Sequence, residues 1–157
     1  VFYVASNPTD LNGDGTPDQG LVCAVEDQSS GAEWGCIGTP ISGADSNGIG
    51  SGAANTSDIL ASCSQSGIAA EVCDDYTGGG YSDWFLPSKD ELNEMYQNKA
   101  TIDATAGANG GSGFASAYYW SSTEYDLGNA WEQGFLYGGQ LNFSKDSPDR
   151  VRAVRAF

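Results

Sequence analysis

G-Y-S-D-W-F-L-P-S-K-D-E-L-N-E-M-Y, from Gly80 to Tyr96, joins two kinds of local structure in one run. Tyr81, Trp84, Phe85 and Leu86 form an apolar, aromatic-rich segment of strand character, and Pro87 stops it. Ser88 stands three residues before Glu91, the spacing at which its hydroxyl accepts from the Glu91 amide while the Glu91 carboxylate returns to the Ser88 amide. Leu92, Met95 and Tyr96 follow at helical spacing and give the helix one apolar stripe. A strand leading directly into a capped helix predicts a joint between two layers.

Upstream, Thr56 or Ser57 is expected to cap a helix through Ile59, Leu60 and Cys63. Gly67 breaks it, and a second helical segment runs from Ile68 to Tyr76. Gly20 to Glu26 alternates as a strand, and Trp34 to Ile37 is expected to pair with it as a hairpin. Gly38 to Asn55 is a long polar loop, and the chain loosens again after Lys99 through Ala106 to Gly113. Phe114 to Ser122 is a strand centred on Tyr118, Tyr119 and Trp120. Asn129 to Tyr137, the turn Gly138-Gly139 and Gln140 to Ser144 make a hairpin, and Val151 to Phe157 is the closing strand.

The 157 residues fit a single domain, 1–157, with an N-terminal strand and loop over 1–19 and the main body over 20–157. The fold class is α+β: antiparallel hairpins, two or three short helices and long loops. Without an initiator methionine, the chain is taken as a module of something longer. No apolar run approaches the roughly 20 residues that span a bilayer, so membrane insertion is not expected. Twenty-one acidic residues against 6 basic ones give a formal charge of −15, which repels nucleic acid and anionic lipid.

Four cysteines allow three pairings, and their spacings match no zinc ribbon. The sequential pairing, Cys23–Cys36 and Cys63–Cys73, closes two short loops worth about 3 kcal/mol each in the chain-entropy model and is the expected one. Two disulfides imply an extracellular address.

Asp10, Asn12, Asp14 and Thr16 alternate through D-L-N-G-D-G-T-P-D, with Gly15 at the sixth place and Asp18 at the ninth, as in an EF-hand-type calcium loop. Leu21 stands at the twelfth place, where a bidentate acid belongs, so the ligand set is expected to be shorter than an EF-hand's. A second oxygen-rich group lies late in the chain. Glu124 and Asp126 follow the Tyr-Tyr-Trp strand, and Asp146 follows the hairpin. All three are candidate calcium ligands, since Ca2+ takes 6–8 oxygens at about 2.4 Å. Tyr125, Asn129, Trp131, Tyr137, Gln140, Asn142 and Asp149 are the candidate ligand contacts around them. Without histidine the Ser-His and Cys-His nucleophile arrangements are unavailable, and no enzymatic activity is expected.

Five blocks in order carry a family resemblance: Gly20 to Asp27, Trp34 to Cys36, the opening stretch, Tyr119 to Glu124 and Val151 to Phe157. The chain resembles the Lcl-type C-terminal domain family, named for a bacterial collagen-like surface protein. The resemblance implies a C-type-lectin-like fold whose long loops carry the binding site, on the bacterial cell surface. It implies a calcium-dependent, monomeric ligand-binding module of a large adhesin that recognises a protein or peptide, with a terminal carboxylate as one way to be held. A glycan-binding lectin-like module and a trimerising cap on a surface fibre are the alternatives it leaves.

Overall fold

The computed structural model describes residues 1–157. Its strands are β1 (Tyr3–Thr9), β2 (Asp18–Cys23), β3 (Ser29–Ala32), β4 (Tyr118–Glu124), β5 (Asn129–Gly134), β6 (Gln140–Ser144), β7 (Asp149–Val151) and β8 (Val154–Ala156). The helices are α1 (Gly52–Ser62), α2 (Ala69–Asp74), α3 (Lys89–Gln97) and α4 (Lys99–Ala108), with a 3-10 turn at Gly78–Gly80. None is long and apolar enough to cross a membrane. The architecture is α+β, with one antiparallel sheet ordered β1-β2-β8 and one mixed sheet ordered β3-β7-β4-β5-β6.

Side chains on a strand alternate between faces, and β4 uses both. Tyr119 and Trp120 are fully buried, Tyr119 in one core with Leu21, Phe85, Leu92, Met95 and Phe135, Trp120 in another with Trp34, Ile59, Leu86 and Val151. Each tryptophan needs a partner for its indole N–H. Trp120 Nε1 donates to the Ala32 carbonyl and Trp34 Nε1 to the Ser121 carbonyl, both at 2.9 Å. Trp34 is therefore locked over the five-stranded sheet.

The joint at Gly80–Tyr96 is present in a shortened form. Pro87 ends the extended run, and Ser88 and Glu91 make the reciprocal cap, with Glu91 N donating to Ser88 Oγ at 3.3 Å and Ser88 N to Glu91 Oε2 at 2.8 Å. The run from Tyr81 to Leu86 is not a regular strand. Phe85 alone pairs, exchanging backbone bonds of 2.8 and 2.9 Å with Val154, while Trp84 and Phe85 enter different cores.

Several expectations are corrected. Trp34 to Ile37 is no strand: Gly35 and Cys36 both take positive φ, 101° and 50°, which turns the chain out of extended geometry. β2 instead lies between β1 and β8, so that Leu21 stands opposite both Tyr3 and Ala156. Helix α1 starts at Gly52, before Thr56, whose Oγ1 bonds the Gly52 carbonyl inside the helix. Residues Lys99–Ala108 form α4, held by the buried pair Ile102 and Ala106 one turn apart. The hairpin's first strand ends at Gly134, and Phe135–Gly139 makes a wider turn. The closing strand is split, β7 joining one sheet and β8 the other.

The disulfide is Cys36–Cys63, not the sequential pairing, and Cys23 and Cys73 are free thiols. The turn at Gly35 brings Cys36 against the end of α1, where a Cβ on Gly35 would lie 3.4 Å from Cys63 Sγ. Cys73 is fully buried in the tryptophan core, and burial pushes its thiol well up. The bridge spans 27 residues. Its removal as Cys36→Ser with Cys63→Ser is expected to cost about 3 kcal/mol in urea unfolding. Alkylation of the native chain, by contrast, is expected to be slow at Cys73.

Candidate functional site

The two late loops converge, because β5 and β6 form a hairpin whose open end joins Asn129 to Ser144, with Lys145 N donating to the Gly128 carbonyl at 3.0 Å. Their acids are each held by a group of the protein itself. Glu124 accepts from Ile41 N at 2.9 Å and is ion-paired to Lys145, whose side chain is fully buried. The Lys145 ammonium also donates to the Thr39 carbonyl at 3.0 Å and lies 4.6 Å from the Trp34 ring centroid. A buried lysine thus supplies the positive charge beside Glu124. Asp126 accepts from Gly128 N and Asn129 N, both at 2.8 Å, and from Asn129 Nδ2, which keeps its pKa low. Asp146 accepts from Ser144 Oγ at 2.5 Å. No group of three or more Cys, Asp or Glu side chains is gathered for a metal.

The early acidic loop is built differently. Asp10 is its hub, accepting from Gly13 N at 2.6 Å and Gly15 N at 2.9 Å, and these amides hold its pKa below the usual carboxylate range. Asn12 Oδ1 accepts from Asp14 N and Asp14 Oδ1 from Thr16 N, so each side chain folds back over the next turn. Asp18 points inward and accepts from Leu11 N at 2.9 Å. Beside the loop lies a polar cavity of about 320 Å3, lined in part by Asn12, Asp14, Ser57, Asp74 and Asp83. None of the late-loop acids lines it.

Among the candidate ligand contacts, Trp131, Tyr125 and Asn142 come together. Tyr125 meets the Trp131 ring edge-on at 5.3 Å, and Asn142 is the cross-strand partner of Trp131. Lys89, at the start of α3, places its ammonium 3.5 Å from the Trp131 centroid. Gln140 Nε2 donates to the Lys89 carbonyl at 2.9 Å and so ties the hairpin to the helix. Tyr137 is exposed in the turn at the opposite end of the hairpin from Asn129, roughly 17 Å away along the strand. Nothing local in the sequence marks Lys89 as stacked or Lys145 as buried. Leu141 and Phe143 were legible, since Q-L-N-F-S alternates strictly.

Asp149 lies across the sheet on β7, where it forms a carboxyl pair with Glu132 of β5. Glu132 is 4% exposed, and burial together with the Asp149 carboxyl pushes its pKa to about 8. Asp149 Oδ2 is buried and no N–H or hydroxyl reaches it, so the pair has no donor to favour two ionised carboxylates. A carboxyl whose pKa is raised on folding binds its proton more tightly in the native state. Its contribution is full below about pH 4.5 and is lost as pH rises toward about 8. Melting of the native chain is expected to fall across that window, with buried Glu91, raised by burial to about 7, adding to the fall, and Glu132→Gln is expected to reduce it without removing the Glu91 share.

No characterised protein matches the chain in sequence. The family model described as Lcl C-terminal domain matches residues 23–155, from the end of β2 into β8. That span holds the tryptophan core, the disulfide and the hairpin, and the chain belongs to the Lcl C-terminal domain family.

Proposed function

We propose that this domain is a ligand-binding module of a bacterial surface adhesin, with a C-type-lectin-like organisation and a protein or peptide as its ligand. The observation that carries this is the exposed hairpin surface where Tyr125, Trp131, Lys89 and Asn142 stand together, an aromatic platform with a cation and an amide beside it. Aromatic side chains flanked by a few polar groups suit ligand contact, because they bury area at small entropic cost. Calcium has its place in this proposal at the early loop, where Asp10, Asn12, Asp14 and the Thr16 carbonyl are the oxygens available to hold it. A bound cation there would order the loop and reduce the repulsion of a chain with a net charge of −15. Glu124 is neutralised by Lys145, so the metal's role is to order the fold near the early loop.

Calorimetry with calcium, followed by capture from a displayed random-peptide library with and without EDTA, tests both parts. The expected result is calcium uptake that raises the melting temperature, abolished by Asp10→Ala with Asp14→Ala, and peptide capture weakened by Trp131→Ala. Absence of uptake removes the metal from the proposal. Capture of glycans in place of peptides replaces the ligand class.

A further inference from the structure

Strand β6 ends its sheet, and the chain leaves that edge open. The backbone bonds bracketing the hairpin fix which groups face outward. Lys145 N bonds the Gly128 carbonyl and Gly134 N bonds the Gly139 carbonyl, while the register pairs Ala130 with Phe143 and Glu132 with Leu141. Hydrogen-bonded pairs recur every second residue in an antiparallel ladder, so Leu141 and Phe143 turn their amides toward β5. The N–H and C=O groups of Gln140 and Asn142 therefore face away from the sheet, and no loop of the chain bonds them.

Natural sheets protect such an edge with a proline, a bulge, an outward lysine or a covering segment. β6 has none of these. Q-L-N-F-S holds no proline, its register with β5 is unbroken, and the adjacent lysine, Lys145, is buried against Glu124. One face of the strand instead presents Leu141 and Phe143, 47% and 53% exposed. On the opposite face, beside Asn142, the one other nearby cation is Lys89, stacked on Trp131. Exposed Asp146 follows the strand, on a chain with 21 acids and 6 bases.

From this geometry we propose that the outer edge of β6 takes up an extended peptide segment with alternating basic and apolar residues, as a sixth strand of the sheet. The inference rests on the proposed peptide-binding role and names how the peptide is held. Main-chain bonds to Gln140 and Asn142 supply the docking, and the apolar residues cover Leu141 and Phe143. The charge of −15 selects the basic partner and opposes pairing with a second copy of the chain.

The test uses the blocked probe acetyl-Lys-Val-Lys-Val-Lys-Val-Lys-amide, titrated against the intact chain by calorimetry and amide NMR. The expected result is binding with shifts centred on Gln140–Ser144, weakened roughly tenfold or more by Asn142→Pro, which removes an outward donor. Two probes N-methylated on alternate residues are expected to differ sharply, one phase binding and the other not. Equal binding of both probes, or indifference to Asn142→Pro in a chain of unchanged melting temperature, would reduce the contact to charge adsorption and overturn the inference. A dimer of the free chain that Asn142→Pro dissociates would overturn it too, since a second copy would then hold the edge. Peptides captured from the library but insensitive to Asn142→Pro would leave the proposed function standing and sink this inference alone.

Discussion

Asp27→Ala is expected to lower unfolding free energy by about 3–5 kcal/mol, measured as the urea midpoint, because it strands a buried cation. The Arg152 side chain is fully buried, and its Nε donates to Asp27 Oδ1 at 2.8 Å, with Nη2 ion-paired to the same oxygen at 2.6 Å. Asp27 Oδ2 meanwhile accepts from Arg150 at 2.8 Å and from the Tyr119 hydroxyl at 2.8 Å. With the carboxylate gone, Arg152 retains the Gly113 carbonyl at 3.4 Å and the Phe114 ring at 4.2 Å, neither of which carries a negative charge. Arg152 Nη1 is already buried without a partner, so the site has no spare acceptor to recruit. Arg150→Ala is the matched comparison. Its side chain is 32% exposed, and its loss is expected to cost under about 1 kcal/mol. Equal effects for the two would show that the pair with Arg152 is not what stabilises this corner.

The second large effect is expected from Glu91→Ala, about 3–4 kcal/mol in the same measurement. Glu91 is fully buried, and its two carboxyl oxygens serve three backbone donors. Oε2 takes Ser88 N at 2.8 Å, while Oε1 takes Gly50 N at 2.8 Å and Gly52 N at 3.4 Å. An isolated helix cap contributes about 1 kcal/mol. The excess here comes from the two glycine amides of the loop entering α1, part-buried at Gly50 and buried at Gly52, which alanine would leave unpaired. Gly52 has no room for a side chain either, since a Cβ there would overlap Glu91 Oε2 and lie 2.9 Å from the Leu86 carbonyl oxygen. Asp90→Ala, one residue away and exposed, is expected to stay within about 0.5 kcal/mol.

Half of that arrangement was legible in the sequence and half was not. The spacing of Ser88 and Glu91 reports a local hydrogen-bond pair, and α3 starts there. That the same carboxylate also closes Gly50, 41 residues earlier, depends on how the chain returns on itself. Asp27 and Arg152 are 125 residues apart, and no periodicity links them. The cysteines misled for a related reason. Sequence distance favours Cys23 with Cys36, but the positive-φ turn at Gly35 faces α1. In the candidate site, alternation made the hairpin legible, although its first strand ends at Gly134. What surrounds the acids beside it was not legible, because the lysine that answers Glu124 lies 21 residues away and is invisible to a count of oxygens.

The position of β2 between the two ends of the chain also has a mechanical consequence. Tyr3 and Ala156 both sit opposite Leu21, and β1 and β8 run in the same direction on either side of it. Tension applied through Val1 and Phe157 would pull β1 backward and β8 forward along their own axes. Ladder bonds perpendicular to that axis would be loaded together in shear, not opened one after another. High rupture forces in single-molecule pulling are the expected signature.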